Sequence, residues 1–364
     1  MRLDRYFALR FLGTFAAVFS IFVLILGFVG IVDQLRIFSD TPATFAEVVA
    51  LTALSLPEGL YGIMPLIMII ATIALFLALA RSSEMVVTRA AGRGALRAMV
   101  PTLLVALIIG ILAVAILNPI VAATSRQYEA RGDALKGSSS VLTLGESGLW
   151  LRQGSDESQT VIRAEQATLN GTVLSGVTFI TFSDAGLPTR RISADRAELV
   201  EGAWLLERAK SWPLVRGIIP EAQATTHETL SVPSTLTAEQ IRDSFGTPSS
   251  IPIWDLPAFI DRLKQAGFSA TRHQVWFQME LAQPLFLVSM VLIGAAFTLR
   301  HQRGGRTGLM VLLAILLSFS IYFLRNFAQV LGENGQIPIA LAAWAPPLAA
   351  IGLSMGLLLH NEDG

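Results

Sequence analysis

Two groups of three long apolar runs bracket a polar, strand-rich middle, and this order restricts the chain more than any motif within it. The runs cover residues 11–32, 51–80, 99–122, 276–299, 308–331 and 338–359. A hydrocarbon core roughly 30 Å thick takes about 20 helical residues to cross, and each run reaches that length. Six transmembrane helices are therefore expected. The composition agrees: mean hydropathy is +0.59, and 53% of residues are hydrophobic against 15% charged. Apolarity gathered in blocks argues against a soluble enzyme built around one large core. The net charge is zero, so only the placement of charge can inform. Cysteine is absent, which removes disulfides, thiolate chemistry and Cys-based metal sites. The first run follows a charged start like that of a signal peptide. It is too long for such a segment and ends in Val32-Asp-Gln-Leu-Arg36 rather than a small-residue cleavage site, so a retained first span is expected.

Arginine placement sets the orientation. Arg2, Arg5 and Arg10 precede the first span, Arg81, Arg89, Arg93 and Arg97 separate the second from the third, and Arg300, Arg303 and Arg306 separate the fourth from the fifth. The opposite short loops hold Arg36 and, across residues 332–337, no Lys or Arg. The positive-inside rule puts both termini and the basic loops in the cytoplasm. The middle domain then lies outside, which in a bacterium is the periplasm.

That middle reads as β structure. The segments 140–144, 148–152, 160–163, 173–182, 191–195 and 204–208 are short, partly alternating, and bounded by turn residues such as Asn170-Gly171 and Ser183-Asp-Ala-Gly186. Strands at such intervals suit a sandwich, a jelly roll or an open barrel. Beyond them, residues 254–266 carry Leu256, Phe259, Ile260 and Leu263 at helical spacing, with Asp255 able to cap the start and Gly267 the end. This short amphipathic helix is expected to lie on the outer membrane surface and lead into the fourth span.

The residues assemble no catalytic constellation. His227, His273, His301 and His360 fall in different compartments, a G-x-x-x-x-G-K-[ST] phosphate loop is missing, and Gly145-Glu-Ser-Gly148 lacks the spacing of a nucleophile elbow. The cytoplasmic loop 81–98 is richer than a bare connector. Ser82 or Ser83 could cap a helix with Glu84 in its first turn, Met85, Val86 and Val87 give it an apolar surface, and Gly92 and Gly94 end it. Such a helix suits either docking into a groove of a soluble partner or an interfacial position with Arg89 and its neighbours on lipid phosphates.

At this point the residues carry a family resemblance. Leu3-Asp-Arg-Tyr6, Val32-Asp-Gln-Leu-Arg36, Arg81-Ser-Ser-Glu-Met-Val-Val87 with Ala91-Gly92, Ser147-Gly-Leu-Trp150 and Gln283-Pro-Leu285 resemble, in order and through the whole chain, the LptF/LptG permeases of the lipopolysaccharide exporter. The first-span ending and Gly148-Leu-Trp150 resemble the LptG branch more than the LptF branch. The resemblance implies a β-jellyroll middle domain, a heterodimer with an LptF-like permease, an LptB-like ATPase dimer on the cytoplasmic side, and LptC-like and LptA-like bridge proteins in the periplasm. ATP is then hydrolysed by a partner, and this chain binds no cofactor or metal of its own, does no covalent chemistry and contacts no nucleic acid.

Lipopolysaccharide carries phosphates and several acyl chains, so its cavity should be apolar at depth and basic near the outer leaflet. Arg36 lies just beyond the first span, and Arg126 and Arg131 just beyond the third. Gly30 and Glu129 stand where members of the family can carry basic residues. Arg325 falls within the outer half of the fifth span, where it either faces a cavity or snorkels to the interface, with Glu58 or Glu280 as a possible ion partner. The expected organisation is residues 1–125 with three spans and the coupling loop 81–98, a β domain over 126–252, and residues 253–364 with the connecting helix and three further spans. Glu84, Met85, Val86 and Arg89 are the candidate ATPase contacts, and Arg36, Arg126, Arg131 and Arg325 the candidate lipopolysaccharide contacts. A scaffold anchoring a periplasmic β domain and an envelope-lipid-modifying enzyme are the competing readings. A scaffold needs neither the docking helix nor Arg325, and an enzyme needs acids, histidines or metal ligands that converge.

Overall fold

The computed structural model describes residues 2–39, 43–82, 84, 94–136, 142–145, 148–155, 158–167, 172–183, 186–214, 219–234, 236–237, 241, 247–265, 269–298 and 307–363. Its helices are α1 (Arg2–Ile37), α2 (Phe45–Gly62), α3 (Met64–Arg81), α4 (Ala95–Leu112), a π-helical turn (Ala113–Leu117), α5 (Asn118–Lys136), α6 (Leu256–Gln265), α7 (Thr271–Thr298), α8 (Thr307–Glu333) and α9 (Ile339–Asp363). Among the described residues six helical stretches are long and apolar enough to span a membrane, three on either side of the β insertion. The chain is a multi-pass membrane protein.

The second apolar run corrects the expectation of one unbroken helix. It is two, interrupted at Ile63 (φ −93°, ψ 5°), because Pro65 at the start of α3 has no N–H to continue the ladder and its ring crowds the carbonyl one turn back. The third span runs on past its expected end, through the π-helical turn and α5, so Arg126 and Arg131 sit on a helix.

Compact packing divides the chain into a membrane unit (1–135, 248–256 and 271–364) and a β unit (136–247 and 257–270). In the membrane unit α7 is the central helix. Val275, Met279, Phe286, Leu287, Met290, Val291 and Ile293 are all buried, whereas α1 and α8 show most of their apolar surface. Small residues let the backbones close in: a Cβ added at Gly110 of α4 would stand 2.6 Å from Pro284 Cα of α7.

Among the described residues the β unit holds eight strands: β1 (Leu142–Gly145), β2 (Gly148–Ser155), β3 (Ser158–Ala164), β4 (Gln166–Ala167), β5 (Val173–Ser183), β6 (Pro188–Val200), β7 (Ala203–Pro213) and β8 (Thr225–Pro233). All pair antiparallel in the order β1-β2-β3-β5-β6-β7-β8, with the short β4 also on β5, so the jellyroll-like domain takes the form of one continuous meander. Leu149, Leu151, Ile162, Phe179, Ile192, Trp204 and Leu206 fill its inner face, where Phe179 meets Trp204 edge to face with centroids 6.3 Å apart. Gln153 of β2 donates to Pro233 O at the end of β8 (3.0 Å) and accepts from Ser234 Oγ (2.9 Å). Those strands stand near opposite ends of the order, so the sheet curls over its apolar face. Leu174 and Val177 both point inward although three residues apart, which a period-two strand cannot do unaided. Gly176 (φ 61°) makes the inversion, and Arg208 (φ 52°) makes it on β7 between Leu206 and Ala209.

On the connecting helix α6, Leu256, Ile260 and Leu263 are buried within the protein.

Candidate functional site

Helical spacing on α7 places Glu280, Gln283 and Phe286 on one buried face. Arg325 of α8 donates from Nη2 to Gln283 Oε1 (2.8 Å), and its guanidinium lies 4.7 Å from the centroid of Phe286. The bond and the stacking hold an arginine in an apolar span. Glu280 is 1% exposed. Its Oε2 accepts from Tyr61 OH and from Asn118 Nδ2 (3.2 Å). Asn118 in turn accepts from Ile253 N (2.9 Å), while Trp254 Nε1 donates to Ala115 O in the π-helical turn (3.3 Å). A π-turn shifts the hydrogen-bond ladder by one residue, and here its carbonyl takes an outside donor. Glu58 accepts from Ser125 Oγ (2.9 Å) and Ser249 Oγ (3.0 Å). The segment returning from the β unit is thus bonded into the same polar system.

One turn before Arg325 on α8, Tyr322 borders an apolar cleft of about 150 Å³ between α3, α7 and α8. Leu66, Ile69, Met290, Ile315 and Phe319 line it, together with Gly62 and Ile63 at the break between α2 and α3. A cationic group and an apolar cleft therefore share one helix.

The other candidate arginines do not converge with Arg325 into one site. Gln34 near the end of α1 donates to Tyr128 OH of α5 (2.9 Å), and the buried Phe38 packs on Gly132. Arg36 lies two residues from both Gln34 and Phe38, and Arg126 two from Tyr128, so helical geometry turns each away from this seam, with Arg131 beside it. All three are exposed. Gly30 has a packing reason: a Cβ there would meet Thr52 Cγ2 at 2.8 Å, since Thr52 is fixed by its bond to Val48 O. A lysine at this position would force α1 from α2.

Glu84 lies at the far end of α1 from this seam. It accepts from Arg10 Nη1 (2.5 and 2.6 Å to its two oxygens), Tyr6 OH (2.8 Å) and Ser82 Oγ (2.8 Å), with Arg10 also bonded to Tyr6 OH. The Arg10 bond, chiefly, holds the Glu84 carboxyl below its ordinary value, against the opposing effect of burial. Both partners remain about one-third exposed. Met85, Val86 and Arg89 lie outside the described residues. Tyr61 and Asn118 escaped the sequence reading because neither forms a motif, while Tyr6 was visible only in a family signature and Arg10 only as an orienting charge. Gln283 was visible only as a family signature, whose physical content is now plain: Gln283 holds Arg325, and Pro284 packs on Gly110.

A multi-pass protein with an inserted β domain and an intramembrane arginine beside an apolar cleft has the make-up of a membrane transport component. The chain belongs to the lipopolysaccharide export system permease LptF/LptG family, whose pattern it matches over residues 5–360. It is 23% identical to the lipopolysaccharide export system permease protein LptG of Haemophilus influenzae over 369 residues, covering 99% of both chains. It is 24% identical to that of Escherichia coli K12 over 371 residues, covering 99% of this chain and 98% of the other. These are transport subunits rather than enzymes.

Proposed function

We propose that this chain is one permease subunit of an ATP-driven exporter that draws lipopolysaccharide out of the bacterial inner membrane. The observation that carries the reading is Arg325, held by Gln283 and Phe286, one turn from the apolar cleft at Tyr322. Phosphate and acyl chain are the two chemistries of a glycolipid, and this stretch of α8 offers a partner for each. Arg36, Arg126 and Arg131, exposed near the ends of α1 and α5, would meet further phosphates nearer the outer leaflet.

Power comes from a separate ATPase dimer seated on loop 81–98. Glu84 joins that loop to α1 through Arg10 and Tyr6, and the other end of α1 is joined to α5 through Gln34 and Tyr128. An unbroken helix from Arg2 to Ile37 with few buried residues is suited to carry a displacement from one end to the other. Both termini are cytoplasmic and the β unit periplasmic, as the arginine-rich loops require. A second, LptF-like permease completes the cavity, and LptC-like and LptA-like proteins receive the lipid.

Affinity purification of the tagged chain from native membranes in mild detergent tests this reading. Recovery of a second permease and an ATPase, with ATP-dependent lipopolysaccharide release after reconstitution, is the expected outcome. A homogeneous single protein with no ATPase would overturn it.

A further inference from the structure

The outer face of the β unit carries a cationic and aromatic band that export alone does not require. Strand register sets Arg152, Val161, Ile180, Arg191 and Trp212 opposite one another across β2, β3, β5, β6 and β7. The adjacent row is Trp150, Arg163, Thr178, Ser193 and Lys210. All lie on the side opposite the buried Leu151, Ile162, Phe179 and Ile192, and Arg152, Arg163 and Arg191 are exposed. Arg163 stands over Trp150 at 5.9 Å, while Arg191 and Lys210 flank Trp212 at 5.3 and 5.2 Å.

The two rows contain four cations and no acid, and Glu221 on the neighbouring turn takes Lys210 and Trp212 Nε1. Composition does not explain this, because residues 136–247 hold ten Lys and Arg against thirteen Asp and Glu. Four of those ten cations stand in these two rows with no acid between them. A merely solvated face would interleave signs and lack half-exposed tryptophans and aliphatics. Cations with Trp, Val and Ile between them are the side chains that settle at a bilayer interface, where rings lie at headgroup depth and guanidinium groups reach phosphate.

We infer that this face, centred on Thr178 between Arg163 and Ser193, binds the phosphate headgroups of an anionic lipid surface. The spans tether the domain to a bilayer, so a weak surface affinity is enough to populate the contact. Each cation contributes about fivefold to partition near such a surface. The inference does not depend on which lipid is exported or on the identity of the ATPase.

The absence of cysteine makes the test clean. Full-length Thr178→Cys protein, labelled with bimane, is placed in nanodiscs containing a headgroup spin-labelled lipid, either zwitterionic or with about one-third anionic phosphatidylglycerol. Quenching of about twofold or more is expected with anionic lipid and little without it, with loss near 1 M salt, where screening acts within about 3 Å. Arg152→Gln, Arg163→Gln, Arg191→Gln and Lys210→Gln together should abolish it. Arg191→Gln alone should weaken it about fivefold in lipid titration, which guards against misfolding of the quadruple variant. A label at Glu201→Cys, on the β6–β7 turn, should show little quenching in either mixture. Equal quenching in both mixtures, survival in the quadruple variant, or no quenching at Thr178 in either would overturn the proposal.

Discussion

Two glutamates of the membrane unit are held in nearly the same way and in opposite surroundings. Glu280 and Glu84 each accept a tyrosine hydroxyl and a second side-chain donor on another element, Asn118 for the first and Arg10 for the second. Glu280 is 1% exposed, whereas the side chains of Glu84 and Arg10 are each 31% exposed. In the dry site a lost partner is not replaced by water, so the bonds there fix geometry. At the wet site water and a docking protein can both exchange with Arg10, so the same chemistry makes a joint that can open. One cluster is a fixed part of the frame, and the other is a contact that can be exchanged.

The largest expected effect comes from breaking the dry site. Asn118→Ala leaves both Glu280 and Ile253 N–H short of a partner and should cost about 3 kcal/mol in denaturant unfolding of the detergent-solubilised protein. Adding Glu280→Leu should return part of that loss, because a paired deletion removes the stranded carboxyl group. Strict additivity would show that Asn118 and Glu280 do not act as a unit. Tyr61→Phe comes next, at about 1–2 kcal/mol, with Asn118 still bonded. An effect as small as that of Tyr6→Phe would erase the distinction between the two sites.

At the wet site the stability changes should be below about 1 kcal/mol. The Glu84 carboxyl is held below its ordinary 4.5, so its contribution is present above that value and disappears as pH falls through the lowered one. Wild-type unfolding should therefore lose a small increment as pH falls below 4.5 that Glu84→Gln lacks. Identical acid profiles for the two proteins would mean that Arg10 does not hold this carboxylate.

Hydrophobic length and turn chemistry made six spans and most strands legible, since both are local signals. The break at Ile63 was hidden because Pro65 is followed by enough apolar residues to sustain an uninterrupted hydropathy run. The strand β8, Thr225-Thr-His-Glu-Thr-Leu-Ser-Val-Pro233, carries too few apolar side chains to announce itself, and it forms through backbone pairing with β7. Arg325 was visible because a charge in a span is costly. Its partner was not, because Gln283 lies 42 positions earlier and only packing of α7 against α8 brings the two together. Glu84 showed from its place in the first turn of a capped helix, while Arg10 read as an orienting charge and Tyr6 as part of a signature, and only packing joins the three.

The most direct test is lipid release per ATP by the reconstituted transporter carrying Glu84→Ala, compared with wild type at matched assembly. The account predicts a complex of normal composition and near-normal unfolding that hydrolyses ATP yet releases lipopolysaccharide at least about tenfold more slowly, because the joint between loop 81–98 and α1 is gone. Release at the wild-type rate per ATP in a fully assembled Glu84→Ala complex would contradict it.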